Sequence, residues 1–194
     1  PGRWQGRARF VVLQTCFGDG HAFLAAWRAW REDPRRCDRL VVVAIEPDPL
    51  SREGLRARHA GGPDTAGQAL AEALVAAWPP RTPDLHLLDF EGGRVRLMLA
   101  LGAVAEWLPQ LTLQADAMWL DGVTPPLGDS GARMAGRLGA LAADGATAAV
   151  PGHDPAVMAG LAAAGFQVEP LPGTGDAEAL TVARHAPRFR PPPP

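Results

Sequence analysis

The chain has 194 residues, 47% of them hydrophobic and 21% charged, with a formal net charge of −2. That length suits one domain of ordinary size, and the apolar content supports a packed core and excludes wholesale disorder. The near-neutral balance excludes the strongly basic composition of a protein that holds nucleic acid by charge alone.

Cys16 and Cys37 are too few for a disulfide framework, and neither they nor the five scattered histidines have metal-ligand spacing. No metal site is predicted, and a reducing compartment is expected. No run of about 18 apolar residues occurs, and the first residues lack a basic-then-apolar signal pattern. A cytoplasmic protein without a membrane segment is therefore expected. Arg28, Arg31, Arg35, Arg36 and Arg39 cluster, but Glu32, Asp33 and Asp38 interrupt them. The cluster reads as a solvated helix end and loop.

In chain order, Phe10 to Gln14 (FVVLQ) reads as a buried parallel strand that stops at the turn Cys16 to Gly20. His21 to Arg31 carries Phe23, Leu24, Trp27 and Trp30 at helical spacing, a core-facing stripe. Leu40 to Glu46 (LVVVAIE) is a second buried strand, ended by Pro47, Asp48 and Pro49, and Ser51 can cap the helix that follows. Gly61 to Pro63 is a loop, and Ala66 to Trp78 a helix closed by Pro79 and Pro80. Leu85 to Phe90 and Arg94 to Leu101 are strands joined through Glu91-Gly92-Gly93 as a hairpin. Ala103 to Leu108 is a short helix.

Ala115 to Asp121 (ADAMWLD) is a strand with an acid at its carboxyl end, followed by a Pro- and Gly-rich loop from Gly122 to Gly131. A helix from Gly131 to Ala142, a strand from Gly145 to Val150 and a helix from Pro155 to Ala164 come next. The strands Phe166 to Pro170 and Ala179 to His185 close the pattern as an antiparallel hairpin. The tail Arg188 to Pro194 (RFRPPPP) cannot form an interior element, because proline lacks the donor and restricts its predecessor. It reads as a linker or an extended tail, which bounds a domain over residues 1–187. Strands alternating with helices imply an α/β fold with a mostly parallel sheet covered on both faces.

In such sheets ligands sit beyond the carboxyl ends of the strands. Three features fall there. Cys16-Phe17-Gly18-Asp19-Gly20 follows the first strand, where glycines let backbone approach a ligand. Glu46 ends the second strand, placed to accept hydrogen bonds from ribose hydroxyls. Asp121-Gly122 ends the strand Ala115 to Asp121. The predicted consequence is that Gly18, Glu46 and Asp121 border one pocket. A dinucleotide site wants a third glycine where Phe23 stands, which disfavours NAD or FAD and favours S-adenosylmethionine.

QTCFGDGHAFLAAWRAWREDPRRC, VVVAIEPDPLSREGL, LAEALVAAWPP, FEGGRVRLMLALG, MWLDG and LAAAGF resemble the methyltransferase domain of the MnmC family of bifunctional tRNA-modifying enzymes, from about Trp4 to His185. The resemblance implies a Rossmann-like class I fold with a seven-stranded, mostly parallel sheet and an antiparallel edge hairpin. It also implies methylation of the aminomethyl group on a tRNA wobble uridine, with S-adenosylmethionine as cofactor and an FAD-dependent oxidoreductase domain as fused or separate partner. By this resemblance Asp121 is the catalytic position, and Cys16, Gly18, Gly20, Glu46 and Ala103 line the cofactor.

The sequence departs from the family at several of these places. The family has an acid at Gln14, a glycine at Cys16, an asparagine at Ala22 and, facing the adenine amino group, an aspartate at Ala103. Its Phe-Ala-Pro-type loop is replaced by Val123-Thr124-Pro125-Pro126-Leu127-Gly128. Its late basic stretch is replaced by Gly175-Asp176-Ala177-Glu178. Weakened cofactor binding and weak tRNA binding by the isolated chain are therefore expected. The residues leave a second reading, a degenerate structural or partner-binding domain, and a third and less favoured one, an NAD-type module.

Overall fold

The computed structural model describes residues 2–61, 65–122, 129–172 and 179–186. Most of the Gly61 to Pro63 loop, the 123–128 loop, Gly175 to Glu178 and the 188–194 tail, all read from the sequence above, lie outside the described residues. The chain divides into two compact units, Pro1–Val104 and Ala105–Pro194. Eight strands are present among the described residues, four in each unit. This matches the eight segments read from the sequence and is one more than the seven strands implied by the resemblance.

In the first unit β1 (Arg9–Gln14), β2 (Arg39–Glu46), β3 (Leu85–Phe90) and β4 (Val95–Leu101) lie in the order β3-β4-β2-β1. β1 pairs parallel with β2, and β2 parallel with β4. β3 is antiparallel to β4, as the hairpin reading requires, and Gly92 (φ 66°) and Gly93 (φ 83°) take the left-handed backbone of its turn. β2 sits between two neighbours that pair both of its backbone edges, and its nearly continuous burial from Leu40 to Glu46 fits its apolar run.

Among its described residues this unit packs the helices α1 (His21–Glu32), α2 (Arg52–His59) and α3 (Thr65–Ala77). The Ser51 hydroxyl accepts the Gly54 N–H at 3.0 Å and starts α2. Phe23, Trp27 and Trp30 of α1 are buried, as their spacing predicts, while Leu24, the fourth residue of that stripe, is half-buried. They join an aromatic core in which Trp27 and Phe90 rings lie 4.5 Å apart and Phe23 and Phe90 rings 5.8 Å apart. Each buried indole N–H has an acceptor: Trp27 donates to Glu91 Oε1 (3.0 Å), Trp30 to the Cys37 carbonyl (2.9 Å) and Trp78 to the Leu50 carbonyl (2.9 Å). The arginine cluster is less idle than its composition suggests, since the Arg36 guanidinium lies 4.8 Å from the Trp30 ring.

A short helix, α4 (Val104–Trp107), leads into the second unit, where β5 (Ala115–Trp119), β6 (Ala142–Pro151), β7 (Phe166–Leu171) and β8 (Leu180–His185) run in the order β5-β6-β8-β7. β5 and β6 are parallel, and β8 is antiparallel to both β6 and β7. β5 ends at Trp119, so Asp121 stands two residues beyond the strand rather than on its last position. β6 begins at Ala142, earlier than the predicted Gly145, because Ala142 already pairs with Ala115.

α5 (Asp129–Leu141) and α6 (Pro155–Ala163) pack closely. A Cβ on Gly139 would lie 2.5 Å from the Ala164 carbonyl oxygen, so only glycine permits that approach. Arg137 of α5 donates to the carbonyls of Leu108 (3.2 Å), Pro109 (3.2 Å) and Leu111, fixing the turn before β5.

Candidate functional site

The turn after β1 is built on Phe17. Its N–H donates to the Ile45 carbonyl at 3.0 Å, and its ring stacks on Trp78 at 5.4 Å. Gly20 follows, caps α1 with φ 81°, and packs against that ring. A Cβ there would meet the Phe17 ring at 2.8 Å and Leu74 Cδ2 at 3.0 Å. Gly18 differs. Its φ is +59°, but a Cβ would meet no atom within 4 Å. The backbone of Gly18 therefore presents an open face.

Glu46 ties this turn to two other strand ends. It is 4% exposed. Its Oε2 accepts the Gly18 N–H at 2.6 Å and faces the Cys16 thiol at 3.7 Å, while Oε1 accepts the Asp48 N–H at 2.8 Å. Its own carbonyl accepts the Gly102 N–H at 2.9 Å, next to the exposed Ala103. Cys16, Gly18, Gly20, Glu46 and Ala103 are thus gathered at the carboxyl ends of β1, β2 and β4. The register predicts this convergence, since Glu46 pairs with Leu101.

Asp121 belongs to the second unit. It is exposed and its Oδ1 accepts the Gly122 N–H at 2.7 Å. A shallow hollow of about 220 Å³ lies there, bordered by Asp121, Gly122, Val150, Pro151 and Asp154. Within the described residues Asp154 also caps α6, accepting the Ala156 and Val157 N–H groups at 2.8 and 3.4 Å.

Two features of the first unit escape local reading. The Asp19 carboxylate meets His21 Nδ1 at 2.8 Å, and the Asp19 carbonyl meets His59 Nε2 at 2.7 Å. The His21 and His59 rings are 5.1 Å apart. Burial pushes the Asp19 carboxyl up, but the side-chain and backbone hydrogen bonds from His21 outweigh it and hold the carboxyl below its ordinary value. His59 is 40 residues from Asp19, a separation with no sequence signal. The second feature is Gln14, 1% exposed at the end of β1, whose Oε1 has no hydrogen-bond partner. A buried acceptor left unpaired costs about 1–3 kcal/mol, so this atom marks a place for a donor.

The model of the S-adenosyl-L-methionine-dependent methyltransferase family matches residues 65–186, and the chain belongs to that family. Its sequence is that of an MnmC-like methyltransferase domain. It is 53% identical to the tRNA 5-methylaminomethyl-2-thiouridine biosynthesis bifunctional protein MnmC of Methylibium petroleiphilum, over 97% of this chain and 29% of that protein. The protein of the same name from Aromatoleum aromaticum is 44% identical over 96% of this chain and 32% of its own length. The chain thus spans about a third or less of the curated relatives it matches.

Among solved structures, MnmC2 from Aquifex aeolicus superposes with a TM-score of 0.66 at 17% identity, covering 96% of this chain and 57% of that one. Precorrin-6y C5,15-methyltransferase from Geobacter metallireducens gives 0.56 at 11% identity, covering 95% and 85%. Both likenesses establish the Rossmann-like methyltransferase fold, with parallel strands and the antiparallel hairpin β7–β8.

The cofactor implied by the family fits the residues present. Gly18 offers backbone with open space before it, Gln14 Oε1 is a buried acceptor without a donor, and a carboxylate such as that of Glu46 offers roughly four acceptor positions. Three of those positions at most are taken by Gly18, Asp48 and Cys16. Among the described residues no cluster of three or more His, Cys, Asp or Glu suits a metal ion, and no helix is long and apolar enough to cross a membrane.

Proposed function

We propose that the chain is the methyl-transferring part of a cytoplasmic tRNA-modifying enzyme, acting on the aminomethyl nitrogen of a wobble uridine. The observation that carries this reading is the buried Glu46 carboxylate joined to Gly18 at the end of β1, in a chain 53% identical to an MnmC protein. S-adenosylmethionine supplies, when bound, a sulfonium methyl group that is already reactive. The work left to this chain is positioning.

In this reading Glu46 accepts a ribose hydroxyl in its remaining acceptor position. Gly18 lets the turn lie against the methionine part, Gly20 holds the turn on Phe17, and Gln14 accepts from the ammonium group. Asp121 takes a hydrogen bond from the substrate amine and orients it. The methyltransferase domain takes in the described residues to Ala186, with an FAD-dependent oxidoreductase domain as its fused or separate partner. The bifunctional name of the relatives, and the share of their length that this chain spans, support that partner.

The cofactor is held weakly in this proposal. Cys16 puts a side chain on the turn, and Ala103 leaves the adenine amino group without an acceptor. The same two residues favour the second reading, a domain that has lost catalysis and is retained for its partner. Transfer of labelled methyl to tRNA carrying an aminomethyl uridine separates the two. Incorporation that disappears in Asp121→Ala supports the enzyme, and no incorporation at millimolar cofactor supports the degenerate domain.

A further inference from the structure

The first unit carries a charge asymmetry that the balance of the whole chain conceals. Residues 1–40 hold eight of the 19 basic side chains and four of the 21 acidic ones, a balance of +4 inside a chain of −2. We propose that Arg9, Arg39 and Arg94, at the amino ends of β1, β2 and β4, form a row that holds the phosphate backbone of the RNA substrate. This rests on the tRNA reading above and adds the surface by which the first unit takes the RNA.

The row follows from strand register. Arg9 and Arg39 open β1 and β2 and are partners in their parallel pairing, so both side chains leave the sheet on one face. Arg94 directly precedes β4, and its carbonyl accepts the Leu40 N–H at 2.9 Å. Neighbouring strands lie about 4.8 Å apart, so the three arginines are rooted within about 10 Å. All three are exposed. The Arg9 and Arg39 guanidinium groups have no hydrogen bond or ion pair among the described residues.

Aromatic packing holds one end of the row in place. Arg94 and Arg36 lie over the buried Trp30 ring, at 5.6 and 4.8 Å from its centre. The Arg94 Nε donates to the Glu91 carbonyl at 3.2 Å, which leaves its terminal nitrogens for a ligand. Guanidinium groups present planar donors that match phosphate oxygens in pairs. The nearby acids do not cancel them. Asp33 is occupied by the Trp4 indole N–H and the Arg35 backbone N–H, both at 2.8 Å, and Glu91 takes the Trp27 indole N–H at 3.0 Å. Asp38 precedes Arg39 but forms no ion pair among the described residues. β2 runs for eight residues, so the row stands about 23 Å from Glu46 along the strand. RNA held there meets the chain through backbone away from the nucleotide being methylated.

Labelled tRNA is titrated with the natural chain and its variants between about 50 and 200 mM salt. Arg9→Gln with Arg39→Gln is expected to weaken binding about tenfold and to lower the salt slope by about one per arginine. Arg56→Gln with Arg58→Gln removes the same charge from α2, which follows the other end of β2, and is expected to stay close to the natural chain. Arg9→Lys with Arg39→Lys keeps the charge and is expected to keep the slope, which separates a lost contact from a lost fold. Equal loss in the row and α2 pairs, no loss in the row pair, or a slope lost in the lysine pair overturns the proposal. So does loss of poly-glutamate binding in the row pair with tRNA binding intact, which assigns the row to an acidic protein segment. Methyl transfer to tRNA is assayed in parallel. Transfer with an unchanged tRNA KM in the row pair sinks the row alone, whereas a natural chain that neither binds nor methylates tRNA sinks the reading beneath it.

Discussion

The Gly18 N–H donates to the buried Glu46 carboxylate at 2.6 Å, linking the turn after β1 to the end of β2. With the Asp48 N–H on the other oxygen, the side chain of Glu46 organises two loops. Glu46→Gln keeps the shape but turns a donor towards one of those N–H groups. The expected loss is about 1–3 kcal/mol of stability, read by chemical denaturation, together with loss of S-adenosylmethionine binding. A variant as stable as the natural chain would show that the loops hold themselves.

The two glycines of the turn separate packing from ligand approach. Gly20→Ala drives a methyl group into the Phe17 ring and Leu74, at a backbone angle that already disfavours side chains. Its melting temperature should fall markedly, since overpacking alone costs about 1–3 kcal/mol. Gly18→Ala meets no protein atom and bears only the left-handed penalty of about 1–2 kcal/mol. It should unfold at a higher temperature than Gly20→Ala, yet lose cofactor binding as completely. Full cofactor binding by Gly18→Ala would move the ligand away from this turn.

Much of this arrangement is legible in the sequence. The β1–α1–β2 succession follows from two apolar runs and the Phe23, Trp27, Trp30 stripe, and it places Glu46 at a strand end. What is not legible depends on distant partners. The Glu91 carboxylate serves Trp27 across 64 residues, and His59 reaches Asp19 across 40. Neither pairing has a local pattern. The role of Gly20 was readable only as conformational freedom; its contact with Phe17 and Leu74 requires the packed helix α3. The start of β6 at Ala142 is set by its pairing with β5 and not by its own alternation.

Asp19 gives a pH dependence with a definite sign. Its hydrogen bonds with His21 outweigh burial and lower its carboxyl from the ordinary 3.8. A lowered folded-state value means stability present above about pH 4 and lost as pH falls through the folded value. Asp19→Asn should flatten the acid side of the stability profile below that pH. An unchanged acid limb would show that the His21 contact contributes nothing in solution.

The two thiols should react unequally. Cys37 is 1% exposed, and burial pushes its thiol up from 9.0, the Trp30 hydrogen bond only partly opposing this. The thiolate is the reactive form, so iodoacetamide should label the half-buried Cys16 well before Cys37. S-adenosylhomocysteine should slow labelling at Cys16 alone. Protection of neither thiol at saturating ligand would contradict a site on this turn.

Isothermal titration with S-adenosylmethionine of the natural chain and of Cys16→Gly with Ala103→Asp addresses the site as a whole. The glycine removes a side chain from the turn, and the aspartate restores a charged acceptor for the adenine amino group, a bond of about 1.5–3 kcal/mol. The natural chain should bind feebly and the doubly changed chain at least tenfold more tightly, an affinity step of about 1.4 kcal/mol. Absence of binding by both chains would contradict a cofactor site built on Gly18 and Glu46.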